Sequence, residues 1–457
     1  MRKNVSLLQI FVQINVAISY KLVQINVDMK RNVLSKLIDW KNKKNRKPLI
    51  LNGARQVGKT YILREFGSQC YEKMAYVNCD KNKMLEKIFS QDYNISRILL
   101  SLSAILHVNI EPGNTLVIFD EIQESPTVLN SLKYFCEDAP QYHVAVAGSL
   151  LGISLHNNTS FPVGKVDMIK MYPMTFDEFL MAIGEQPLVD ILATKDFSII
   201  DSLSVRFIDC LRQYYYVGGM PAAVAEFAST KNLEEVRNIQ KQILFDYRRY
   251  FSKHAPSQEV PRINMVWDSI PAQLAKENKK FIFGALKKGA RASEFEIAIQ
   301  WLLDAGLIYQ INRITTPSIP LKFYEEMSVF KLFVLDIGLM GAMSDAPAES
   351  VIVADTLFKE YKGAFTELFV LTQLITNDLP IYYYSSNDSR IEIDLVVQKG
   401  TTVVPIEIKA EENVHAKSLR TFIGKHQELK GLRLSMMPYQ DQGWMENRPL
   451  YAVGDWV

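Results

Sequence analysis

The sequence predicts an α/β protein in three parts: a parallel-sheet domain, a helical middle region with winged-helix character, and a second α/β domain. Three observations carry this. Between Pro48 and Pro173, short apolar strands alternate with helical stretches, the pattern of βαβ units. After Pro173 come long aromatic-rich helices, broken at Gly218-Gly219-Met220-Pro221. From about Gly363, strands and helices alternate again. A chain of 457 residues also exceeds one ordinary core.

At the N-terminus, Met1-Arg2-Lys3 precedes an apolar-leaning stretch, but Gln9, Gln13 and Asn15 interrupt it, which argues against a secretory leader. Val12-Gln-Ile-Asn-Val16 recurs as Val23-Gln-Ile-Asn-Val27, so residues 1–28 read as a dispensable extension. Helical patterning begins near Met29 with Val33, Leu34, Leu37 and Ile38. In the first α/β part, strands are expected at 49–51, 75–78, 115–119 and 142–147, and helices at 59–66, 96–106 and 128–136. In the middle region a helix is expected over 293–305, capped by Ser293, with Phe295, Ile299, Leu302 and Leu303 on one face. It stops at Gly306, and a strand follows over 307–314. Helix then strand is the order of a winged helix, and an ordinary helical linker has the same pattern. Farther on, a helix over 365–375 precedes a strand at 381–384 and two strands, 391–398 and 402–410, joined at Lys399-Gly400 as a hairpin.

Bulk composition excludes several classes. Lys+Arg (52) nearly cancel Asp+Glu (50), so no broad electrostatic grip on nucleic acid is implied. The cysteines Cys70, Cys79, Cys136 and Cys210 form no CxxC pair, which argues against zinc or a disulfide framework and suits a reducing cytoplasm. No apolar run approaches the ~18 residues a bilayer requires, so no membrane partner is expected.

The loop Gly53-Ala54-Arg55-Gln56-Val57-Gly58-Lys59-Thr60 matches the Walker A pattern, with a strand before it and a helix after. Its glycines let backbone N–H groups turn in around phosphates, Lys59 would reach the β and γ oxygens, and the Thr60 hydroxyl would ligate Mg²⁺. The following helix points its positive end at the anion. Leu116-Val-Ile-Phe119 is a buried strand whose end offers Asp120 to Mg²⁺ and Glu121 as general base for an attacking water. ATP and Mg²⁺ are the expected cofactors.

Asn52-Gly-Ala-Arg-Gln-Val-Gly-Lys-Thr60, Phe119-Asp-Glu-Ile-Gln123, Ala147-Gly-Ser149 and Tyr172-Pro-Met-Thr-Phe-Asp-Glu-Phe179 together resemble a widespread prokaryotic family of AAA-type ATPases. Gly218-Gly-Met-Pro221 and Leu335-Asp-Ile-Gly-Leu339 match its pattern too. The resemblance runs from Met29 to the C-terminus. It implies an AAA-type P-loop core (29–180), a helical lid and winged-helix-like region (181–345), and a nuclease-like domain (346–457). It also implies that Ser149 is a polar sensor near the γ-phosphate. Where the family has Gly-Arg ahead of the Tyr-Pro segment, this chain has Gly164-Lys165, and lysine supplies charge without a bidentate fork.

In the C-terminal hairpin, Asp394 precedes Glu407-Ile408-Lys409. Period-two alternation puts Glu407 and Lys409 on one face, which Asp394 can approach, and Glu367 on the preceding helix could add a third carboxylate. Such a set holds a divalent metal and steadies a water near a phosphodiester. It resembles the PD-(D/E)xK core, a restriction-endonuclease-like fold, and implies a second metal there. Arg248-Arg249 with Tyr247 and Tyr250 read as a solvated helix face rather than a stacking platform for nucleic acid, and His415 and His426 as isolated surface residues.

The leading expectation is a Mg-ATP hydrolase whose nucleotide state repositions the winged-helix and nuclease-like parts on DNA or RNA. An ATP-regulated, metal-dependent nuclease and a non-cutting, nucleotide-dependent DNA-binding switch are the alternatives. Monomer and homo-oligomer both stay open.

Overall fold

A computed structural model describes residues 29–149, 161–276, 279–352, 359–386, 388, 390–410 and 416–454. The extension at 1–28 and His415 lie outside these.

Five strands form the first sheet: β1 (Leu49–Asn52), β2 (Lys73–Asn78), β3 (Thr115–Asp120), β4 (His143–Gly148) and β5 (Asp167–Lys170), in the order β2-β3-β4-β1-β5. Every pairing is parallel. Residues alternate between two cores: Leu49, Leu51, Leu116 and Ile118 pack on one face, and Ile50, Val117, Phe119 and Val144 on the other. Burial on both faces is why these strands read as continuous apolar runs. β5 was not anticipated, because its half-exposed edge sequence Asp-Met-Ile-Lys carries no such run.

A helical region follows, from Phe176–Ala182 to Val260–Leu274, and includes the 22-residue helix Leu233–His254. The expected helix near 293 spans Ala292–Asp304. Ser293 is not its cap but lies inside the first turn. There Glu294 reaches back to accept from the backbone N–H of Arg291 at 3.3 Å, so the N-terminal donor is satisfied one residue pair earlier than expected. Gly306, at φ +69°, ends the turn as expected.

The second sheet has eight strands: β6 (Ile308–Ile314), β7 (Glu325–Val334), β8 (Ile381–Ser385), β9 (Glu392–Lys399), β10 (Thr402–Ile408), β11 (Gly431–Ser435), β12 (Gln440–Asp441) and β13 (Met445–Pro449). Their order is β12-β13-β11-β10-β9-β8-β6-β7. β9 and β10 form the expected antiparallel hairpin. The sheet crosses the boundary expected at 345/346, because β6 pairs with β8 through Arg313–Tyr383 and Ile314–Tyr384. The β6–β7 pair alone would leave an open edge, and β8 covers it.

The two glycine-containing motifs of the middle region interlock. Asp336, 1% exposed, accepts from the N–H of Gly219 at 2.6 Å and of Leu339 at 2.9 Å. A Cβ on Gly219 would lie 2.1 Å from the Met174 carbonyl oxygen, and one on Gly338 would lie 2.4 Å from that of Val217. The glycines are there because backbones meet. Burial pushes the Asp336 carboxyl up to about 6 against those backbone donors.

Candidate active site

β1 delivers the Walker loop. Asn52 starts it by accepting from the Gly53 N–H at 2.8 Å, while its carbonyl takes the Met171 N–H at 2.7 Å. Gly53 abuts the Met171 carbonyl, where a Cβ would stand 2.3 Å away, and Gly58 turns the chain at φ +97° into the helix Lys59–Cys70. Lys59 is buried, and its Nζ donates to the carbonyls of Gly53 (2.9 Å) and Ala54 (2.7 Å). Burial pushes its ammonium down to about 8, opposed by Glu121 and Asp120 and assisted by Arg55.

The adjacent strands bring the acids. Asp120 ends β3; its Oδ2 accepts from Thr60 Oγ1 at 2.7 Å and from the Tyr76 hydroxyl at 2.8 Å, and its Oδ1 from the Glu121 N–H at 3.0 Å. Glu121 stands at φ +52°, a left-handed turn that breaks the strand abruptly, and accepts from Gln123. Ser149 follows β4, the strand between β3 and β1, so it shares their carboxyl edge. Its hydroxyl bonds to that of Tyr250 at 2.8 Å. The structure thus gathers Lys59, Thr60, Asp120, Glu121 and Ser149 at one edge of one sheet.

These groups suit a magnesium nucleotide. Thr60 and Asp120 present hard oxygens side by side, the donors Mg²⁺ takes, and Lys59 stands at the head of a helix with the loop's N–H groups. Held by Thr60 and Asp120, such an ion would supply charge neutralisation to the phosphates.

Residues the sequence did not flag surround this edge. Arg31, 7% exposed, donates to Glu178 (3.1 Å), to the Val57 carbonyl within the loop (2.9 Å) and to the Tyr172 carbonyl (2.7 Å). Glu178 also accepts from the N–H of Thr175 at 3.0 Å, so one buried ion pair ties the Walker loop to the Tyr172–Phe179 motif. From the helix Leu233–His254, Tyr247 donates to the Arg55 carbonyl at 2.9 Å, and Asp246 accepts from Gln56 at 3.0 Å. This corrects the solvated-face expectation for Tyr247 and Tyr250, while Arg248 and Arg249 are exposed as expected. Tyr247 and Tyr250 are buried against the loop, while Arg248 pairs with Asp268 and Arg249 lies over Phe245. The i,i+3 spacing of the tyrosines was the available signal, masked by the arginines between them. Lys165 forms a surface ion pair with Glu137 at 2.8 Å.

At the C-terminal hairpin, continuing the β9–β10 register puts Asp394 opposite Glu407, and Asp394 Oδ2 accepts from the Ile408 N–H at 2.8 Å. Lys409 Nζ lies 2.6 Å from Glu407 Oε1. Burial raises both carboxyls, Glu407 to about 7 with Asp394 adding and Lys409 opposing, and Asp394 with help from the Glu367 charge. Glu367 does not act as an open third ligand. It is fully buried between Lys279 and Lys331 (3.0 Å), and these lysines outweigh its desolvation and hold it below the usual range. Lys331 reaches Glu392 as well, at 2.8 Å. Among the described residues, no group of three or more His, Cys, Asp or Glu is arranged to hold a metal. Glu367 and Glu392 are matched by Lys279 and Lys331, and the cluster does not fit a resident three-carboxylate metal site.

Residues 45–180 match the family model described as an AAA domain. Residues 208–350 and 362–446 match models described as domains of unknown function, DUF8612 and DUF4143. The parallel sheet, the Walker loop and the first of these matches mark residues 45–180 as an AAA-type P-loop domain, the kind of domain found in ATPases. Among solved structures, a Walker-type ATPase of Pyrococcus abyssi is similar at 14% identity and TM-score 0.44, over 69% of this chain and 96% of its own. The RuvB Holliday junction branch migration motor of Thermotoga maritima is similar at 14% and 0.28, over 67% and 92%. The ORC1 protein of Aeropyrum pernix, solved in complex with DNA, is similar at 14% and 0.26, over 70% and 92%. All three scores are low, and the class rests on the family match and the site. No curated protein matches the chain. No helix among the described residues is long and apolar enough to cross a membrane.

Proposed function

We propose that this protein binds Mg-ATP in the loop Gly53–Thr60 and hydrolyses it, with Glu121 activating the attacking water and Ser149 sensing the terminal phosphate. The observation that carries the reading is the convergence of Lys59, the Thr60–Asp120 pair and Glu121 at one sheet edge. Asp120 is held at both oxygens, so it is oriented before any ligand arrives. The nucleotide state would be passed on through the helix Leu233–His254. One end grips the loop through Tyr247 and Tyr250. The other reaches the Asp336 region, where Gln240 donates to the carbonyls of Tyr216 and Val217 at 2.8 and 2.9 Å and Arg237 to that of Ala346 at 2.9 Å. Phosphate release is the test: wild type turns over ATP, and Lys59→Ala loses binding and turnover. Normal turnover by the Lys59 variant would sink the proposal.

For the C-terminal part, the charge balance around Glu367 favours the non-cutting alternative, in which Asp394, Glu407 and Lys409 form a polar face for a partner such as DNA or RNA. Incubation with labelled DNA or RNA and Mg²⁺ or Mn²⁺ decides it. Cleavage that disappears in Asp394→Ala would restore the nuclease.

A further inference from the structure

We infer that Arg55 supplies, from within the chain, the arginine that neutralises the terminal phosphate during hydrolysis, and that Tyr250 holds it in place; this rests on the ATPase reading above.

The apex of the Walker loop is clamped. The Arg55 carbonyl takes the Tyr247 hydroxyl at 2.9 Å, and Gln56 donates to Asp246 at 3.0 Å, both from one helix. One turn on, the Tyr250 ring lies under the Arg55 guanidinium, 5.4 Å from carbon to centroid, within cation–π range. The hydroxyl of that ring bonds to Ser149 at 2.8 Å. A single side chain therefore touches Arg55 with its face and Ser149 with its tip. Ser149 follows β4, between the strand that ends in Asp120 and the strand that feeds the loop. The guanidinium is thereby tied to the edge where Lys59, Glu121 and Ser149 meet. Among the described residues, no carboxylate pairs with Arg55, whereas Arg31, Arg248 and Arg313 each have one. Its guanidinium is therefore left for a phosphate.

The chemistry asks for such a cation. In the step, the water oxygen bonds to the γ-phosphorus, the bond from phosphorus to the β-bridging oxygen breaks, and Glu121 takes the water proton. Arg55 transfers nothing. It offers a planar pair of donors where negative charge spreads over the equatorial oxygens. Lys165, where the related pattern has arginine, is occupied by Glu137 at the surface, so it does not compete for this role.

The test measures ATP affinity with a fluorescent analogue and kcat by phosphate release, for wild type, Arg55→Ala and Tyr250→Leu, which keeps bulk but removes the π face. Melting temperatures confirm that both variants fold. Arg55→Ala is expected to lose at least tenfold, and on the order of 10³-fold, in kcat, with ATP affinity changed by less than about tenfold. Tyr250→Leu should fall in the same sense, and wild-type specific activity should not depend on protein concentration. A kcat loss under tenfold, or a loss equally large in affinity, overturns the assignment while leaving ATP hydrolysis standing. Wild-type protein that binds ATP without turning it over overturns the ATPase reading and this inference together.

Discussion

Lys59→Met should stabilise the nucleotide-free protein while abolishing its ATP binding. In the folded chain the ammonium is buried at the head of the loop and its pKa falls from 10.5 to about 8, chiefly by desolvation. Keeping it charged at neutral pH therefore costs about 3 kcal/mol. Methionine removes that cost but also the bonds to the Gly53 and Ala54 carbonyls. Those are worth about 1 kcal/mol each, so the net gain is about 1 kcal/mol, or roughly 1 °C in Tm for a cooperatively melting chain of this length. The pH signature is specific. Between about 8 and 10.5 the folded state has released the proton that the unfolded state still holds, so wild-type stability rises through that window. The advantage of the variant is full below pH 8 and shrinks above it. Thermal melts across this range, with and without Mg-ATP, make the measurement. ATP at about 100 times Kd should add about 2.7 kcal/mol to wild type and nothing to the variant, reversing their order. A nucleotide-free variant that melts below wild type at pH 7 would refute the reasoning.

Other sites give independent checks. Arg31→Met strands the Glu178 carboxylate in the interior and should cost about 3–5 kcal/mol in denaturant unfolding, because it breaks one partner of a pair whose side chains are both 4% exposed. Gly219→Ala drives a methyl group into the Met174 carbonyl and should yield insoluble or grossly destabilised protein, read by soluble yield and circular dichroism. Asp336, raised from 3.8 to about 6 by burial, keeps its proton in the folded state while the unfolded state releases it. Its contribution to stability therefore falls by about 3 kcal/mol as pH rises through that window, and urea melts of Asp336→Asn should lack this component.

Much of the candidate nucleotide site's geometry was legible because each feature is local. Glycines at fixed offsets, a run of Leu-Val-Ile-Phe before Asp120, and a strand-loop-helix order are all contained in short windows. The β9–β10 hairpin, with Asp394 facing Glu407, followed from alternation alone. What escaped depends on distant pairing. Lys331 lies in an apolar strand and gives no hint that it neutralises Glu367 from 36 residues away. The β6–β8 pairing that merges β6 and β7 with the C-terminal sheet joins segments separated by β7 itself and the helices after it. Tyr247 and Tyr250 were misjudged because their arginine neighbours suggested solvent, whereas helical geometry sends those arginines to the other side.

The most direct measurement is a single-turnover experiment on Glu121→Gln. Mixed with substoichiometric Mg-ATP, the variant should bind it as tightly as wild type and return it intact, while wild type converts it to ADP and phosphate. Conversion by the variant at the wild-type rate would contradict the account, since the water would then be activated by something other than the Glu121 carboxylate just after β3.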